Sequence, residues 1–362
     1  MQTWGHWTFD MGMNQRSGRS HNGGATIADV AKEANFSPMT VSRVINGEKN
    51  VRESTRRAVM QAVEKLNYTP NLAARSLAGA DQIRIGLLYS NPSAAYLSRF
   101  LMGSLEQARL NHVQLLIEDC ADEEYAEEAI RILMARNVDG IILSPPLCDS
   151  EPLLEMIERE GILAVVIANW QPQNKVSVIR IDDVAAAAEM TRHIIAMGHR
   201  RIGFIKGNPA HKASSQRFLG FAGALDEAGI ECVPEMVVDG KFTYRSGLEA
   251  AEKLLAMSPP PTAIFASNDD MAAAAITVAH RHQLNVPGDL TVCGFDDTDF
   301  AQSIWPELTT IHQPIAEMSR AAIDMLVDQV KVKRSGRDWQ TTEQVVDFTF
   351  IRRDSDAGPK RT

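Results

Sequence analysis

Residues 26–78 read TIADVAKEANFSPMTVSRVINGEKNVRESTRRAVMQAVEKLNYTPNLAARSLA, and this stretch decides how the chain is organised. Thr26, with Asp29 three residues later, resembles a capping box and predicts a helix that runs through Ala34. Small and apolar residues recur along this helix, as close packing against another helix requires. The stretch is therefore predicted to open with a short amphipathic helix.

A second short helix is predicted directly after a tight turn. Ser37 is a good N-cap and Pro38 suits the first helical position, whereas Asn46-Gly47 is a typical signal for a helix end. The apolar residues that can face the core are Val41, Val44 and Ile45. In a helix-turn-helix, such a second helix enters the major groove of DNA.

The other side of the second helix carries residue types that suit DNA. Arg43 can make a bidentate contact to a guanine, whereas Thr40 and Ser42 suit phosphates or sugars. The same pattern also fits a helical hairpin that binds another protein, and the residues alone leave that alternative open.

Charge is distributed unevenly along the 362 residues. The net charge is −9, but residues 1–80 contain 10 Lys and Arg against 6 Asp and Glu, a charge of +4, which leaves −13 for the remainder. A basic head on an acidic body suggests that one end of the chain faces phosphates.

After Gly79 the sequence alternates short β-rich runs with helical stretches. The runs begin at residues 83, 113, 138, 162, 176, 201, 235, 262 and 290. This alternation, with a Pro-rich break at residues 258–261, predicts two lobes built on doubly wound parallel sheets. Ligands bind beyond the carboxyl ends of such strands. Polar residues at these ends predict a binding cleft: Ser90-Asn91, Asn169-Trp170, Asn208, Asn268-Asp269 and Asp296-Asp297.

The order of these motifs resembles the LacI/GalR family of bacterial transcription regulators. The head carries DVA, TVSRVIN, LNYTPN and SLAG at the family's spacing, and the body continues with GHRRIGFI, RFLGF, NDDMA, VCGFDD and LTTIHQP to about Arg352. The resemblance implies an all-α helix-turn-helix head and an α/β body of two lobes, similar to periplasmic binding proteins. The implied segments are a disordered tail (1–24), the helix-turn-helix domain (25–70), a hinge helix (71–80), a first lobe (81–181 with 312–342), a second lobe (182–311 with 343–353) and a tail (354–362).

The resemblance also assigns residues to DNA. The family's base-reading positions match Pro38, Met39 and Arg43, and Pro38 has no side-chain donor, so base reading is expected to depend on Met39 and Arg43. Arg52 stands where the family usually has a Ser or Asp cap, so the third helix is expected to start poorly capped or to use Ser54. The full predicted DNA-binding set is Thr26, Pro38, Met39, Thr40, Ser42, Arg43, Asn46, Asn71, Ala74 and Leu77.

Residues 71–78 match the family's hinge helix. In a dimer, two such helices lie in the minor groove, and Leu77 matches the apolar side chain that wedges into a base step. A helix of about eight residues is marginal in water, so its twin and the DNA must stabilise it. Leu77 could instead be a linker residue that packs on the body.

Matching positions in the body give a candidate ligand shell. It consists of Ala95, Tyr96, Leu97, Asn169, Trp170, Arg217, Phe242, Asn268, Asp296 and Gln313. A carboxylate, an Arg, an Asn and an aromatic face together suit a sugar. Asp296 could instead cap a helix, and Phe242 could belong to the core. An AAY segment also occurs in purine-sensing members, so a purine or nucleoside stays open as the effector, although Asn268 favours a sugar.

Other functional classes find little support in the sequence. The four cysteines are far apart, and nucleotide-binding and nucleophile-elbow motifs are absent, so no cofactor, metal site or enzymatic activity is expected. Without an apolar run of about 18 residues or a signal-peptide core, the protein is expected in the cytoplasm. The expected partners are a palindromic operator in double-stranded DNA, a small-molecule effector and a second copy of the chain. A solute-binding protein with a vestigial head and a sugar-modifying enzyme are the alternatives.

Overall fold

The computed structural model describes residues 25–45, 51–68, 82–120, 123–168 and 176–360. The chain divides into two units, residues 1–81 and residues 82–362. Each unit has a hydrophobic core of its own.

The first unit contains the helices α1 (Ile27–Ala34), α2 (Pro38–Ile45) and α3 (Glu53–Lys65). The predicted capping box is present, since the Asp29 N–H donates to Thr26 Oγ1 at 3.3 Å and the Thr26 N–H donates to Asp29 Oδ2 at 2.8 Å. Arg52 occupies the N-cap position of α3 without a side-chain cap hydrogen bond. The weakly capped start expected for this helix is therefore confirmed.

Small and branched apolar side chains hold the three helices together. Val41 and Val44 face inward as predicted, and Ile45 packs against them while it stays partly exposed. The buried residues of this core are Val30, Ala31, Val41, Val44, Val59 and Ala62. Such short helices gain most of their stability from this packing, because an isolated helix of eight residues is marginal in water.

The first lobe of the second unit is built on a parallel sheet of the order β11-β5-β4-β3-β1-β2. Its strands are β1 (Arg84–Tyr89), β2 (Gln114–Asp119), β3 (Gly140–Leu143), β4 (Leu163–Ile167), β5 (Ser177–Arg180) and β11 (Glu343–Val345). One face is covered by α4 (Ala94–Leu110) and α12 (Ile315–Arg334), and the other by α5 (Glu123–Ala135) and α6 (Glu151–Arg159). Helices on both faces explain why the central strands are apolar throughout.

The second lobe repeats this architecture with a parallel sheet of the order β7-β6-β8-β9. Its strands are β6 (Ile202–Lys206), β7 (Val237–Asp239), β8 (Ala263–Ala266) and β9 (Thr291–Cys293), and its helices are α7 (Asp183–Ala196), α8 (Lys212–Glu227), α9 (Tyr244–Leu255), α10 (Asp269–Arg281) and α11 (Asp299–Ser303). β10 (Thr310–His312) pairs antiparallel with β12 (Thr349–Ile351). The strands β1 to β9 lie in the nine predicted runs, whereas the short β10, β11 and β12 were not predicted.

Two of the predicted segment boundaries differ from the structure. Residues 343–353 were assigned to the second lobe, but β11 pairs with β5 in the sheet of the first lobe. The open edge of β5 offers unpaired backbone groups, which this passing segment satisfies. Residues 354–362 were assigned to a tail, but Ser355 and Asp356 are buried in the second lobe, where Ser355 Oγ accepts from the Thr309 N–H at 2.9 Å.

The main core of the second unit runs from one lobe into the other. It contains Ile85 and Leu87 of the first sheet, Phe204 and Phe265 of the second, and apolar residues of α12. Separate cores lie on the outer face of each sheet. Within the described residues, no helix is both long and apolar enough to cross a membrane.

Candidate functional site

The outward face of α2 carries the residues that were predicted to read bases. Met39 is 75% exposed, and Pro38 and Arg43 are exposed as well, whereas the two valines of the same helix are buried. Thr40 and Ser42 are partly buried at the edge of this face. Ser37 Oγ accepts from the Thr40 N–H at 3.1 Å and so fixes the first turn. The helix therefore presents a side chain that is apolar (Met39) and one that is cationic (Arg43) to the surroundings.

Thr26 has a local role in the structure. Its hydroxyl donates to Asp29 Oδ2 at 2.7 Å, so this side chain is engaged in the cap of α1. The other predicted DNA-binding residues, Asn46, Asn71, Ala74 and Leu77, lie outside the described residues, as does the predicted hinge helix.

A cavity of about 40 Å³ lies between the two lobes, near the carboxyl ends of their strands. Since a water molecule needs roughly 10–15 Å³ of such space, the cavity has room for a few waters. A larger ligand requires the lobes or the lining side chains to move apart. The residues that line it are Asn91, Ser93, Tyr96, Pro145, Ala168, His211, Ala213, Arg217, Phe242, Asn268, Asp296 and Gln313.

Arg217 of α8 is the central side chain of this cleft and is only 4% exposed. Its Nε donates to Asp183 Oδ1 at 2.8 Å, and one terminal nitrogen donates to the carbonyl oxygen of Ser267 at 2.5 Å and, at 3.4 Å, to Asp296 Oδ1. The other terminal nitrogen donates to Gln313 Oε1 at 3.2 Å. The guanidinium thus connects α7, the strand ends of the second lobe and the crossover before α12.

Aromatic rings enclose the guanidinium. Its carbon lies 3.6 Å from the centroid of the Phe295 ring and 5.9 Å from that of Phe242. Phe242 has a φ of 58°, and its ring lies against Gly207, where a Cβ would stand 1.9 Å from Phe242 Cζ. The Phe242 side chain packs on the second-lobe core, as the alternative interpretation predicted, and it also lines the cavity.

His211 lies beside this aromatic wall, with its ring centroid 5.2 Å from that of Phe242. Burial, together with the charge of Arg217, lowers the pKa of His211 to about 4. The imidazole is therefore neutral near pH 7 and adds no positive charge to the cleft.

Asp296 lines the cavity opposite Arg217 and is 4% exposed. Its φ of 103° lies in the left-handed region, which turns the chain sharply after Phe295. Burial raises the pKa of the Asp296 carboxyl well above its ordinary value, while the Arg217 charge opposes that rise. The alternative role as a helix cap is not what the structure shows, because Thr298 is the N-cap residue of α11.

Asn268 is the N-cap residue of α10 and also lines the cavity. Its Oδ1 accepts from the Met271 N–H at 3.0 Å at the start of α10, and its Nδ2 donates to the carbonyl oxygen of Phe242 at 3.0 Å and to Asp270 Oδ2 at 3.3 Å. The amide is therefore held in one orientation by the protein itself.

Tyr96 is the member of the AAYL segment that lines the cavity. It is 5% exposed, and its hydroxyl has no hydrogen-bond partner among the described residues. Ala95 and Leu97 were predicted beside it but do not line the cavity, because successive residues of α4 point about 100° apart. Leu97 packs against the main core instead. The predicted Asn169 and Trp170 lie outside the described residues.

Several residues at the cavity were missing from the predicted ligand shell. Asn91, Pro145 and Ala168 lie within two residues of the ends of β1, β3 and β4, so the rule that ligands bind beyond strand ends could have found them. Asn91 was indeed among the polar strand ends. The other missed residues are Ser93, His211 and Ala213, which lie at the starts of helices that face the cleft.

Direct contacts join the two lobes around the cavity. The side chains or backbone groups that meet across the cleft are Ser93 Oγ with Asp270 Oδ2 at 2.7 Å, Asp149 Oδ2 with the Lys212 N–H at 2.9 Å, and Arg99 with Asp299 Oδ1 at 2.6 Å. Burial raises the pKa of Asp149 to about 6, and it also raises the pKa of Asp270. Opening the lobes would expose both carboxylates to water.

Two family models match this chain. The model described as bacterial regulatory proteins of the lacI family matches residues 26–71, and the one described as a periplasmic binding protein-like domain matches residues 191–355. Among curated proteins, the chain is similar to the HTH-type transcriptional repressor PurR of Photobacterium profundum, with 34% identity over 86% of this chain and 94% of that protein. It is also similar to catabolite control protein A of Priestia megaterium, with 33% identity over 83% of this chain and 91% of that protein.

Solved structures of transcriptional regulators match most of the length of the chain. A complex of the transcriptional regulator CelR with cellobiose has a TM-score of 0.70 and 29% identity, and the match covers 91% of this chain and 99% of that one. The Lac repressor dimer bound to its operator and the anti-inducer ONPF has a TM-score of 0.72 and 25% identity, and the match covers 92% of this chain and 100% of that one.

Proposed function

Since the chain belongs to the lacI family of bacterial regulatory proteins, we propose that it is a DNA-binding transcriptional repressor controlled by a small molecule in the interlobe cleft. The observation that carries the proposal is the presence of two sites in one chain. One is the exposed face of α2 with Met39 and Arg43, and the other is the buried polar cleft around Arg217. A repressor acts where its DNA is, so the proposal places the protein in the cytoplasm.

The proposal assigns base reading to the exposed face of α2. An Arg at this position can donate two hydrogen bonds to a guanine, and an exposed Met can contact the methyl group of a thymine. Pro38 adds no donor, so Arg43 is expected to carry most of the sequence preference. The predicted phosphate and sugar contacts from Thr40 and Ser42 fix the register of the helix on the duplex.

A sugar or glycoside is the effector that the cleft supports best. Asp296 and Gln313 can bind hydroxyl groups, and the ring of Phe242 offers an apolar face to the C–H side of a sugar. The related regulator CelR was solved with cellobiose, which is a carbohydrate of this kind. The proposed ligand shell keeps Tyr96, Arg217, Phe242, Asn268, Asp296 and Gln313, with Asn169 and Trp170 as sequence-based members.

A purine or nucleoside is the second candidate. Tyr96 and Phe242 both line the cavity, and two aromatic side chains can hold a flat base between them. The related repressors named PurR are consistent with this candidate.

A homodimer fits the apolar side chains that the second unit leaves exposed. In the first lobe, Met102 is 65% exposed, and Leu105 and Leu110 of the same helix are also exposed. In the second lobe, Trp305 is 78% exposed. Several exposed apolar side chains on one helix are typical of a protein interface, and the related Lac repressor was solved as a dimer on its operator. Two copies would also present two recognition helices to a palindrome.

In the proposed mechanism the effector alters operator affinity by changing lobe closure. A ligand shifts such an equilibrium only if it binds the two conformations with different affinity. The cross-lobe contacts at Ser93, Asp149 and Arg99 hold the closed arrangement, so a ligand that separates or tightens the lobes changes these contacts. The hinge helix that the sequence predicts at residues 71–80 would transmit a change in lobe closure to the DNA-binding helices.

The proposal is tested by selecting operators from a random duplex library with the full-length protein. We expect enrichment of a palindrome and an affinity that falls steeply with salt, because several phosphates are neutralised per dimer. Arg43→Ala should cost about 1–3 kcal/mol at one base pair of each half-site and relax the preference there.

Lys65→Ala is the matched control for Arg43→Ala, because Lys65 is an exposed cation of the same unit that pairs with Glu33. It should leave base preference unchanged. If no sequence is enriched, or if Arg43→Ala selects the same palindrome with the same affinity, the DNA-reading part of the proposal is wrong. A protein that binds sugars but selects no operator would be a solute-binding protein instead.

A further inference from the structure

The charged groups at the cavity restrict the class of ligand. Among the lining residues in the described ranges, Arg217 is the permanent cation and Asp296 is the carboxylate. A second carboxylate, Asp183, is fully buried behind Arg217 and accepts from its Nε at 2.8 Å. Because Asp183 already pairs with the one guanidinium, this cluster has no net positive charge, whether or not Asp296 is ionised.

The guanidinium of Arg217 already makes most of its hydrogen bonds within the protein. All three nitrogens of Arg217 donate to protein acceptors, and its flat face stacks on Phe295 at 3.6 Å. His211, the other basic residue that lines the cavity, is neutral near pH 7 because burial lowers its pKa to about 4. An incoming phosphate would therefore meet a cation that already has its counter-ions.

Two further carboxylates lie at the lobe contacts near the cavity. Asp270 accepts from the hydroxyl of Ser93 at 2.7 Å, and Asp149 accepts from the backbone N–H of Lys212 at 2.9 Å. Moving a phosphate into this surrounding removes its hydration, whereas Arg217, the buried cation that lines the cavity, is already paired with Asp183 and Asp296. Burying a charge without a free partner of opposite charge is strongly unfavourable.

The remaining polar groups suit hydroxyls. The Tyr96 hydroxyl is buried at the cavity without a hydrogen-bond partner among the described residues, and a buried hydroxyl of this kind is unfavourable until a hydrogen bond satisfies it. Asp296 accepts hydrogen bonds, and Gln313 offers an amide beside it. A hydroxyl of a ligand can both donate to Asp296 and accept from Tyr96, whereas a phosphate oxygen at pH 7 can only accept.

We propose that the cleft binds an uncharged polyhydroxylated ligand and rejects the phosphate ester of the same compound. The inference rests on the proposed function, which places the effector in this cleft. It narrows the effector class to uncharged compounds with hydroxyl groups, such as free sugars, glycosides and nucleosides, and excludes sugar phosphates and nucleotides.

Calorimetric titration of the full-length protein with matched pairs tests the inference. The pairs are glucose, galactose, ribose and cellobiose, each with its terminal phosphate ester. We expect at least one uncharged sugar to bind and its ester to bind at least 100-fold more weakly. Binding of an ester as tightly as its parent sugar would overturn the inference, and so would the absence of binding by every uncharged sugar in the set.

A variant of Asp183 tests whether its charge, rather than its structural role, disfavours binding of the phosphate ester. Asp183→Asn keeps the shape of the buried partner but removes one negative charge, so the discrimination against the ester should fall at least 10-fold. Asp226→Asn, an exposed carboxylate on the same helix as Arg217, should leave the ratio unchanged. If Asp183→Asn lowers both affinities by the same factor, its role is structural and the inference is wrong. If that variant does not fold, Asp296→Asn is measured against the same ratio.

Operator binding is measured on the same preparations. Failure of the ligand pairs with intact operator binding would reject the uncharged-ligand inference alone. Loss of operator selection by the wild-type protein would reject the proposed function instead.

Discussion

The Ser93 hydroxyl of the first lobe donates to Asp270 Oδ2 of the second lobe at 2.7 Å, next to the cavity. Ser93 is also the N-cap residue of α4, where its Oγ accepts from the Tyr96 N–H at 3.3 Å. Asp270 lies in the first turn of α10, one residue before Met271 and close to the Asn268 amide. One hydroxyl thus connects the start of a first-lobe helix to the start of a second-lobe helix.

This contact should be measurable as a coupling energy between the lobes. A double-mutant cycle with Ser93→Ala and Asp270→Asn isolates it, because the capping role of Ser93 cancels in the cycle. We expect a coupling of about 1–2 kcal/mol in the free energy of unfolding, as for a hydrogen bond to a charged acceptor that is partly buried. Urea titration of the four proteins gives the value.

The matched control for this cycle pairs Ser93→Ala with Asp299→Asn, whose carboxylate contacts Arg99 rather than Ser93. These two changes should be additive within about 0.5 kcal/mol. A Ser93–Asp270 coupling no larger than that of the control would show that the contact does not hold the lobes together.

Arg217 and its buried carboxylates give a second prediction. Arg217→Met removes the cation that the buried carboxylates Asp183 and Asp296 contact at 2.8 Å and 3.4 Å. Breaking a buried pair in this way should lower the free energy of unfolding by about 3–5 kcal/mol. Chemical denaturation measures the loss.

The double variant Arg217→Met with Asp183→Asn is the informative companion. It also removes the negative charge of Asp183, so it should be more stable than Arg217→Met alone. Equal stability of the single and double variants would mean that the loss comes from packing against Phe295 and not from the uncompensated carboxylate.

Much of the fold was predictable because its signals are local. The capping box at Thr26, the Ser37-Pro38 start of α2 and the nine apolar runs of the parallel sheets are all short patterns with a direct physical meaning. The strands β11 and β12 could not be found in this way. Each is three residues long, β11 is exposed and β12 is partly exposed, and each pairs with the open edge of a neighbouring strand.

The candidate site likewise combines residues that short motifs predict with residues that only the fold brings together. Arg217, Phe242, Asn268, Asp296 and Gln313 follow from the resemblance, and all five line one cavity. Buried Asp183 and the lobe contact at Asp149 depend on how distant segments meet, which no local pattern encodes. Of the three consecutive residues Ala95, Tyr96 and Leu97, only Tyr96 lines the cavity, because a helix can turn only one of three consecutive residues towards a narrow cleft.

The buried imidazole of His211 predicts a specific dependence of stability on pH. Its pKa is lowered to about 4 in the folded protein, whereas the unfolded chain titrates near the ordinary value of 6.5. The unfolded state therefore binds more protons between these values, and stability falls as the pH is lowered from about 6.5 to about 4. His211 should account for about 3 kcal/mol of that loss at most.

His211→Gln removes this contribution, so its stability relative to wild type should increase progressively below pH 6.5. Denaturant titrations at intervals between pH 4.5 and pH 7.5 give the comparison, and the difference between the two proteins cancels the other titrating groups. A constant difference across this range would show that His211 does not titrate with a lowered pKa.

Gly207 gives the last prediction, because it sets the position of Phe242 in the cleft. A Cβ at residue 207 would lie 1.9 Å from Phe242 Cζ, so Gly207→Ala must push the aromatic ring away from the site it occupies beside Arg217 and His211. We expect Gly207→Ala to weaken sugar binding at least 10-fold in calorimetric titration and to lower stability by about 1–3 kcal/mol, as overpacking does. Gly223→Ala is the matched control, since a Cβ there meets nothing within 4 Å on α8, and it should raise stability by up to about 1 kcal/mol while leaving sugar affinity unchanged. Equal sugar affinity in Gly207→Ala and wild type would show that the Phe242 ring is not part of the binding surface.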